Sequence, residues 1–136
     1  VKLYEERYVL IAPASLVPAG KTQVSWSEVA ELPLCLLTPD MRNRQLIDAI
    51  FAQVSAVPTV VMQATGFTAV MAQVASGNAA TIAPTAVAET FLALESTAQF
   101  DLVDPVVTHT VGLSIKEQTP ELPMVRALRV AVRNAL

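Results

Sequence analysis

The sequence is poor in the residues that most often carry chemistry: its 136 residues include one cysteine, Cys35, one histidine, His109, and four glycines. A single cysteine cannot close an internal disulfide. Cys35 lies within Leu34-Cys35-Leu36-Leu37, where a thiol behaves as a small buried hydrophobe, so a reducing compartment, the cytoplasm, is expected. One histidine and one cysteine without ligand-like neighbours give no zinc site. His109, at the start of a strand, reads as an exposed or structurally bonded residue rather than a catalytic base. Gly20, Gly66, Gly77 and Gly112 fit neither a three-glycine dinucleotide fingerprint nor a Gly-Lys-Ser/Thr phosphate loop. Glu5-Glu6 precedes a strand and reads as solvated rather than as an acid-base pair. No cofactor, metal or enzymatic activity is expected.

Charge is scarce as well. Charged residues make up 15% of the chain and the formal net charge is −3, which leaves no broad basic surface to neutralise a phosphate backbone, so this chain alone should not grip DNA. Mean hydropathy is high at +0.49, yet no apolar run approaches the roughly 18 residues of a bilayer-spanning helix, and no membrane association is expected. The sequence begins Val1-Lys2-Leu3, without an initiator methionine or a signal segment, and reads as a piece of a longer protein.

What is present is 53% hydrophobic composition, enough for one well-buried domain, arranged in short runs divided by turn residues. Tyr8–Ala12, Leu34–Leu37, Thr59–Met62, Ala79–Ala83, Phe100–Val103 and His109–Ile115 read as strands. Between them lie helical stretches. Ser25 with Glu28 three positions later forms a capping-box pattern before a short helix. Leu46, Ile47, Ile50, Phe51 and Val54 make one apolar stripe, and Phe67, Val70, Met71 and Val74 make another, ended by Gly77-Asn78. Thr85 is expected to cap a helix over Ala86–Leu94. Pro120 and Pro123 precede a final helix with Val125, Leu128 and Val132 on one stripe. The alternation predicts a three-layer, Rossmann-like α/β fold with parallel crossovers, in which ligands gather at the carboxyl ends of the strands.

Two strand-to-helix junctions are polar at such ends: Thr38-Pro39-Asp40-Met41-Arg42 and Gln63-Ala64-Thr65-Gly66-Phe67. Helix N-termini offer unpaired N–H groups and a partial positive charge, so two that converge can seat a carboxylate or another small anion, with Arg42 as a charged clamp. The structural alternative, favoured on residue type alone, is that Thr38 or Asp40 and Thr65 cap their own helices. Arg126, Arg129 and Arg133 share a face of the last helix and read as a solvated stripe.

Leu3–Pro13, Val24–Ala30 with Leu32-Pro33-Leu34, the helix from Arg44 to Phe51, and Ala72-Gln73-Val74-Ala75-Ser76-Gly77 followed by Ala80-Thr81-Ile82-Ala83-Pro84 form a series of segments. Together they resemble the effector-binding domain of LysR-type transcriptional regulators. The last is the most specific, although the family usually has another glycine after the counterpart of Gly77, where this chain has Asn78. The resemblance implies a type II periplasmic-binding-protein-like fold of two α/β lobes joined by crossing strands. Residues 1–11 would be a remnant of the first lobe with one crossover, 12–112 the second lobe, and 113–136 the return crossover and terminal helix of an incomplete first lobe. It further implies a small-molecule effector, expected to be anionic, bound between the lobes. The implied contacts are Thr38, Asp40, Met41 and Arg42 at one junction, Thr65, Gly66 and Phe67 at the other, and Ser114 near the second crossover. DNA would be reached only through an N-terminal winged helix-turn-helix outside this chain, in a homo-oligomer, dimeric or tetrameric. The alternatives are a solute-binding protein of a transport system and a small α/β enzyme.

Overall fold

The computed structural model describes residues 1–91 and 96–135. They fall into two compact units: Arg7–Val107, and Val1–Glu6 together with the chain from Thr108 onward. Both boundaries lie earlier than the expected ones after residues 11 and 112. Hydrogen bonds explain the shift. Strand β7 (Thr108–Gly112) pairs with β1 (Lys2–Pro13). Val1 and Leu113 exchange both backbone hydrogen bonds at 2.7 Å, and the Thr110 hydroxyl donates to the Glu5 carboxylate at 2.9 Å, so these residues belong with the opening segment.

The Arg7–Val107 unit is a mixed sheet with helices on both faces. After the second half of β1 and a 3-10 turn at Ala14–Leu16 come β2 (Gln23–Ser25), α1 (Trp26–Ala30), β3 (Leu34–Leu37), α2 (Arg42–Gln53) and β4 (Val60–Ala64). Then follow α3 (Phe67–Ala75), β5 (Thr81–Pro84), α4 (Thr85–Thr90) and β6 (Thr97–Val103). The hydrogen-bonded order is β2-β6-β1-β5, and a parallel bridge between Leu34 and Ala80 carries the sheet on to β3 and β4. The expected parallel crossover is present in β3–α2–β4, and β2 with β6 is also parallel, but β1 departs from it and runs antiparallel to both β5 and β6. Hydrophobic periodicity reports which faces are buried and carries no information on strand direction, so the reversal of β1 does not show in the pattern.

Continuous apolar runs arise because both faces of the central strands are covered. Successive side chains of a strand point to opposite faces. Accordingly Leu34 and Leu36 join one buried cluster with Trp26, Ile47 and Phe51, while Cys35 and Leu37 join another with Val70 and Ala79. Leu10 and Ile82 likewise face the first cluster, and Val9, Ile11 and Ala83 pack with Met71 and Val74. Trp26 is fully buried, stacks edge-to-face on Phe51 at 5.3 Å and donates its indole N–H to the Pro105 carbonyl at 3.0 Å. Cys35 is buried and its thiol pKa is raised by desolvation, in accord with its reading as core.

Local signals behave unevenly. The Ser25–Glu28 capping box is formed in full: the Ser25 hydroxyl accepts from the Glu28 N–H at 3.1 Å and the Glu28 carboxylate accepts from the Ser25 N–H at 2.8 Å. Lys21, which bonds the same carboxylate, contributes most to holding its pKa down to about 2. Gly77 takes a positive φ of 88° at the end of α3, and Asn78 does not share it, which a single left-handed residue suffices to explain. Thr85 does not cap α4. Pro84 stands at that N-cap without a side-chain bond, and the Thr85 hydroxyl donates instead to the Arg7 carbonyl at 2.9 Å. Of the helix expected over Ala86–Leu94, the part beyond Phe91 lies outside the described residues.

In the other unit, α5 (Pro123–Ala135) starts with proline at its first helical position, where a missing N–H costs nothing. None of its described residues is buried, and Val125 and Val132 are only half-buried. Val111, Leu113 and Ile115 alternate half-buried with exposed Thr110, Gly112 and Ser114, as the period-two pattern predicts.

Candidate functional site

Because β3 and β4 are parallel neighbours, their carboxyl ends lie side by side: Leu37 pairs in register with Ala64, and the Thr38 N–H donates to the Ala64 carbonyl at 3.1 Å. The two polar junctions therefore emerge next to each other on one edge of the Arg7–Val107 unit. In the first, the Met41 N–H turns back to the Thr38 carbonyl at 3.0 Å, and α2 begins with the bond from Gln45 N–H to Met41 carbonyl at 3.1 Å. In the second, α3 begins with the bond from Val70 N–H to Gly66 carbonyl at 3.3 Å.

Neither helix start is capped by a side chain. Met41 is the N-cap of α2 and Gly66 that of α3, both in extended conformation and both without a side-chain cap bond. The capping alternative for Thr38, Asp40 and Thr65 is thereby corrected: each lies one to three residues ahead of its N-cap, too early to reach the first-turn N–H groups. Those donors at the head of α2 and α3 are left to other acceptors. Asp40, Arg42 and Thr65 are exposed, and Thr38, Met41, Gly66 and Phe67 are half-buried, so the surface is open rather than sealed in the core. Ser114 belongs to the other compact unit, where it is exposed.

The structure adds residues that the residue-type search passed over. Arg44, in the first turn of α2, is only 8% exposed. Its Nη1 donates to the Leu37 carbonyl at 2.9 Å and to the Gln63 side-chain oxygen at 3.4 Å, and its Nε donates to Asp48 at 2.9 Å. The guanidinium thus joins the last residue of β3 to β4 directly beneath both junctions. Its neighbour Asn43 has both carboxamide atoms buried without a hydrogen-bond partner. The spacing of Arg44 and Asp48, one helical turn apart, was the available signal for this ion pair. Two cavities of the same unit are small, about 100 and 20 Å³, and neither is lined by junction residues. Among the described residues no cluster of His, Cys, Asp and Glu could hold a metal ion. No described helix is long and apolar enough to cross a membrane.

The model of the LysR substrate binding domain matches residues 1–136. The chain belongs to that family. The architecture agrees: the effector-binding domain of QuiR in complex with shikimate superposes with a TM-score of 0.78 at 17% identity, over 97% of this chain and 62% of that one. The regulatory domain of Synechocystis PCC6803 CcmR in complex with 2-PG gives 0.79 at 11% identity, over 99% and 65%. Full-length CbnR complexed with its target DNA gives 0.76 at 20% identity, over 98% of this chain and 47% of that one. The chain therefore spans less than half of that full-length regulator, and less than two thirds of either isolated domain. No curated protein shows significant sequence similarity to it. The fold is thus of the type II periplasmic-binding-protein kind found in LysR regulators, a family of transcription factors rather than enzymes.

Proposed function

We propose that this LysR-family domain is the ligand-sensing part of a cytoplasmic bacterial transcriptional regulator, and that it takes a small anionic effector at the two adjoining junctions. The observation that carries the reading is the side-by-side placement of two helix starts, α2 and α3, neither capped by a side chain, at the ends of paired parallel strands. Unpaired N–H groups and the helix dipole favour negative charge there, and Arg42 stands at the head of one helix. Thr38, Asp40, Met41, Thr65, Gly66 and Phe67 would shape the seat. The ligand-bound QuiR and CcmR domains support a small-molecule role, and CbnR on its target DNA supports the output. In the intact protein the effector shifts a conformational equilibrium that a DNA-binding domain outside this chain reads, within a homo-oligomer, to the extent that its affinity differs between the two states. A transport solute-binding protein shares the architecture, but membership of the LysR family weighs for the sensor.

The test is titration of the full-length regulator with shikimate, benzoate and inorganic phosphate, in the wild type and in Arg42→Ala and Thr65→Ala. Loss of one good polar contact predicts affinity for the best of these anions reduced by about tenfold in each variant, with folding unchanged. Undiminished affinity in both variants contradicts the site.

A further inference from the structure

Arg44 stands where electrostatics alone would not put it. A cation in the first turn of a helix opposes the dipole, and burial of a guanidinium is costly unless it is paired and hydrogen-bonded. Here the cost is offset by three acceptors from three places: the carbonyl ending β3, Gln63 near the end of β4, and Asp48 one turn along α2. A planar, forked guanidinium holds such a set in one geometry, and a lysine ammonium does not. The acceptors belong to the strands that lead into the two junctions and to the helix that starts from one of them.

We propose that Arg44 is a positioning residue that locks the Thr38–Arg42 corner to the Thr65–Phe67 corner, so that the two turns act as one seat without Arg44 itself touching the ligand. The proposal rests on the functional reading above for what the seat holds, while the locking itself is testable without ligand.

In the full-length regulator, hydrogen exchange is measured over residues 38–42 and 63–67, with residues 9–12 of β1 as the reference, in the wild type, Arg44→Lys and Asp48→Asn. Arg44→Lys keeps the charge and loses the fork, so exchange is expected to rise about tenfold in both corners and not in β1. Asp48→Asn slackens the hold on the guanidinium and is expected to give about a threefold rise in the same two segments. Should Arg44→Lys fail to fold, Asp48→Asn decides alone. Affinity for inorganic phosphate, measured on the folded variants, is expected to fall in the same order, by about tenfold for Arg44→Lys. Unchanged exchange in the corners overturns the proposal, as does a rise shared equally by β1. A lowered thermal midpoint with full phosphate affinity assigns Arg44 a structural role only and overturns it too. Absence of phosphate binding in the wild type counts against the anionic seat instead, and the exchange pattern still decides the locking.

Discussion

Helices α3 and α5 both repeat apolar residues at three- and four-residue intervals, yet Val70, Met71 and Val74 of α3 are buried whereas no described residue of α5 is. A stripe of that spacing marks a face; burial needs a second surface to meet it. For α3 the surface is the sheet: Val70 packs with Cys35 and Leu37 of β3, and Met71 and Val74 with Val9, Ile11 and Ala83 of β1 and β5. On α5, Met124 is 74% exposed and Leu128 50%. The buried core of the described residues therefore lies in the Arg7–Val107 unit, and so does the candidate seat.

The contrast can be broken or sharpened by substitution. Met71→Ala opens a cavity in a packed layer and is expected to cost about 2–5 kcal/mol, read from denaturant unfolding of the Arg7–Val107 unit. Ser25→Ala removes one half of the capping box at the head of α1 and is expected to cost about 1 kcal/mol in the same measurement. Acid acts on the other half of that box. The Glu28 carboxyl is held down to about 2 by Lys21 and the Ser25 N–H, so its contribution is complete above its ordinary value near 4.5 and fades as pH falls toward 2. The side chain is exposed, so the effect is small, and Glu28→Ala should flatten this part of a stability profile measured by thermal melting between those limits. Smallest of all is Leu128→Ala on α5, expected to stay within about 0.5 kcal/mol. A cost there equal to that of Met71→Ala would erase the distinction between the two helices.

The same distinction governs what could be read from the residues alone. The stripe Ile47, Ile50 and Phe51, the apolar strand Leu34–Leu37 and the Ser25–Glu28 box were legible because each is a local pattern with one physical cause. Strand direction was not, since β1 alternates between the same two buried layers whichever way it runs. The length of β1 was missed too: Lys2–Arg7 carries charges on a segment with no buried residue and looks unlike the buried half from Tyr8 on. Strand β4 begins one residue later than the expected Thr59–Met62 and runs on through Gln63 and Ala64, because Val61 and Met62 are exposed at 57% and 42% and give no alternation to follow. Of the candidate site, the two polar junctions are legible by residue type, but their adjacency depends on the pairing of the consecutive strands β3 and β4, which residue type does not encode. Arg44 escaped notice because a single arginine in a polar connection is ordinarily solvated; only the carbonyl of Leu37 and the carboxylate of Asp48 make it a buried one.

The central claim is that the heads of α2 and α3 form one anion seat. Amide chemical shifts of the full-length regulator, followed by NMR during titration with shikimate and then with inorganic phosphate, test it most directly. Saturable shifts concentrated in residues 38–44 and 65–69, rising together with a single affinity, are expected. Shifts confined to one of the two segments, or centred elsewhere in the protein, contradict it.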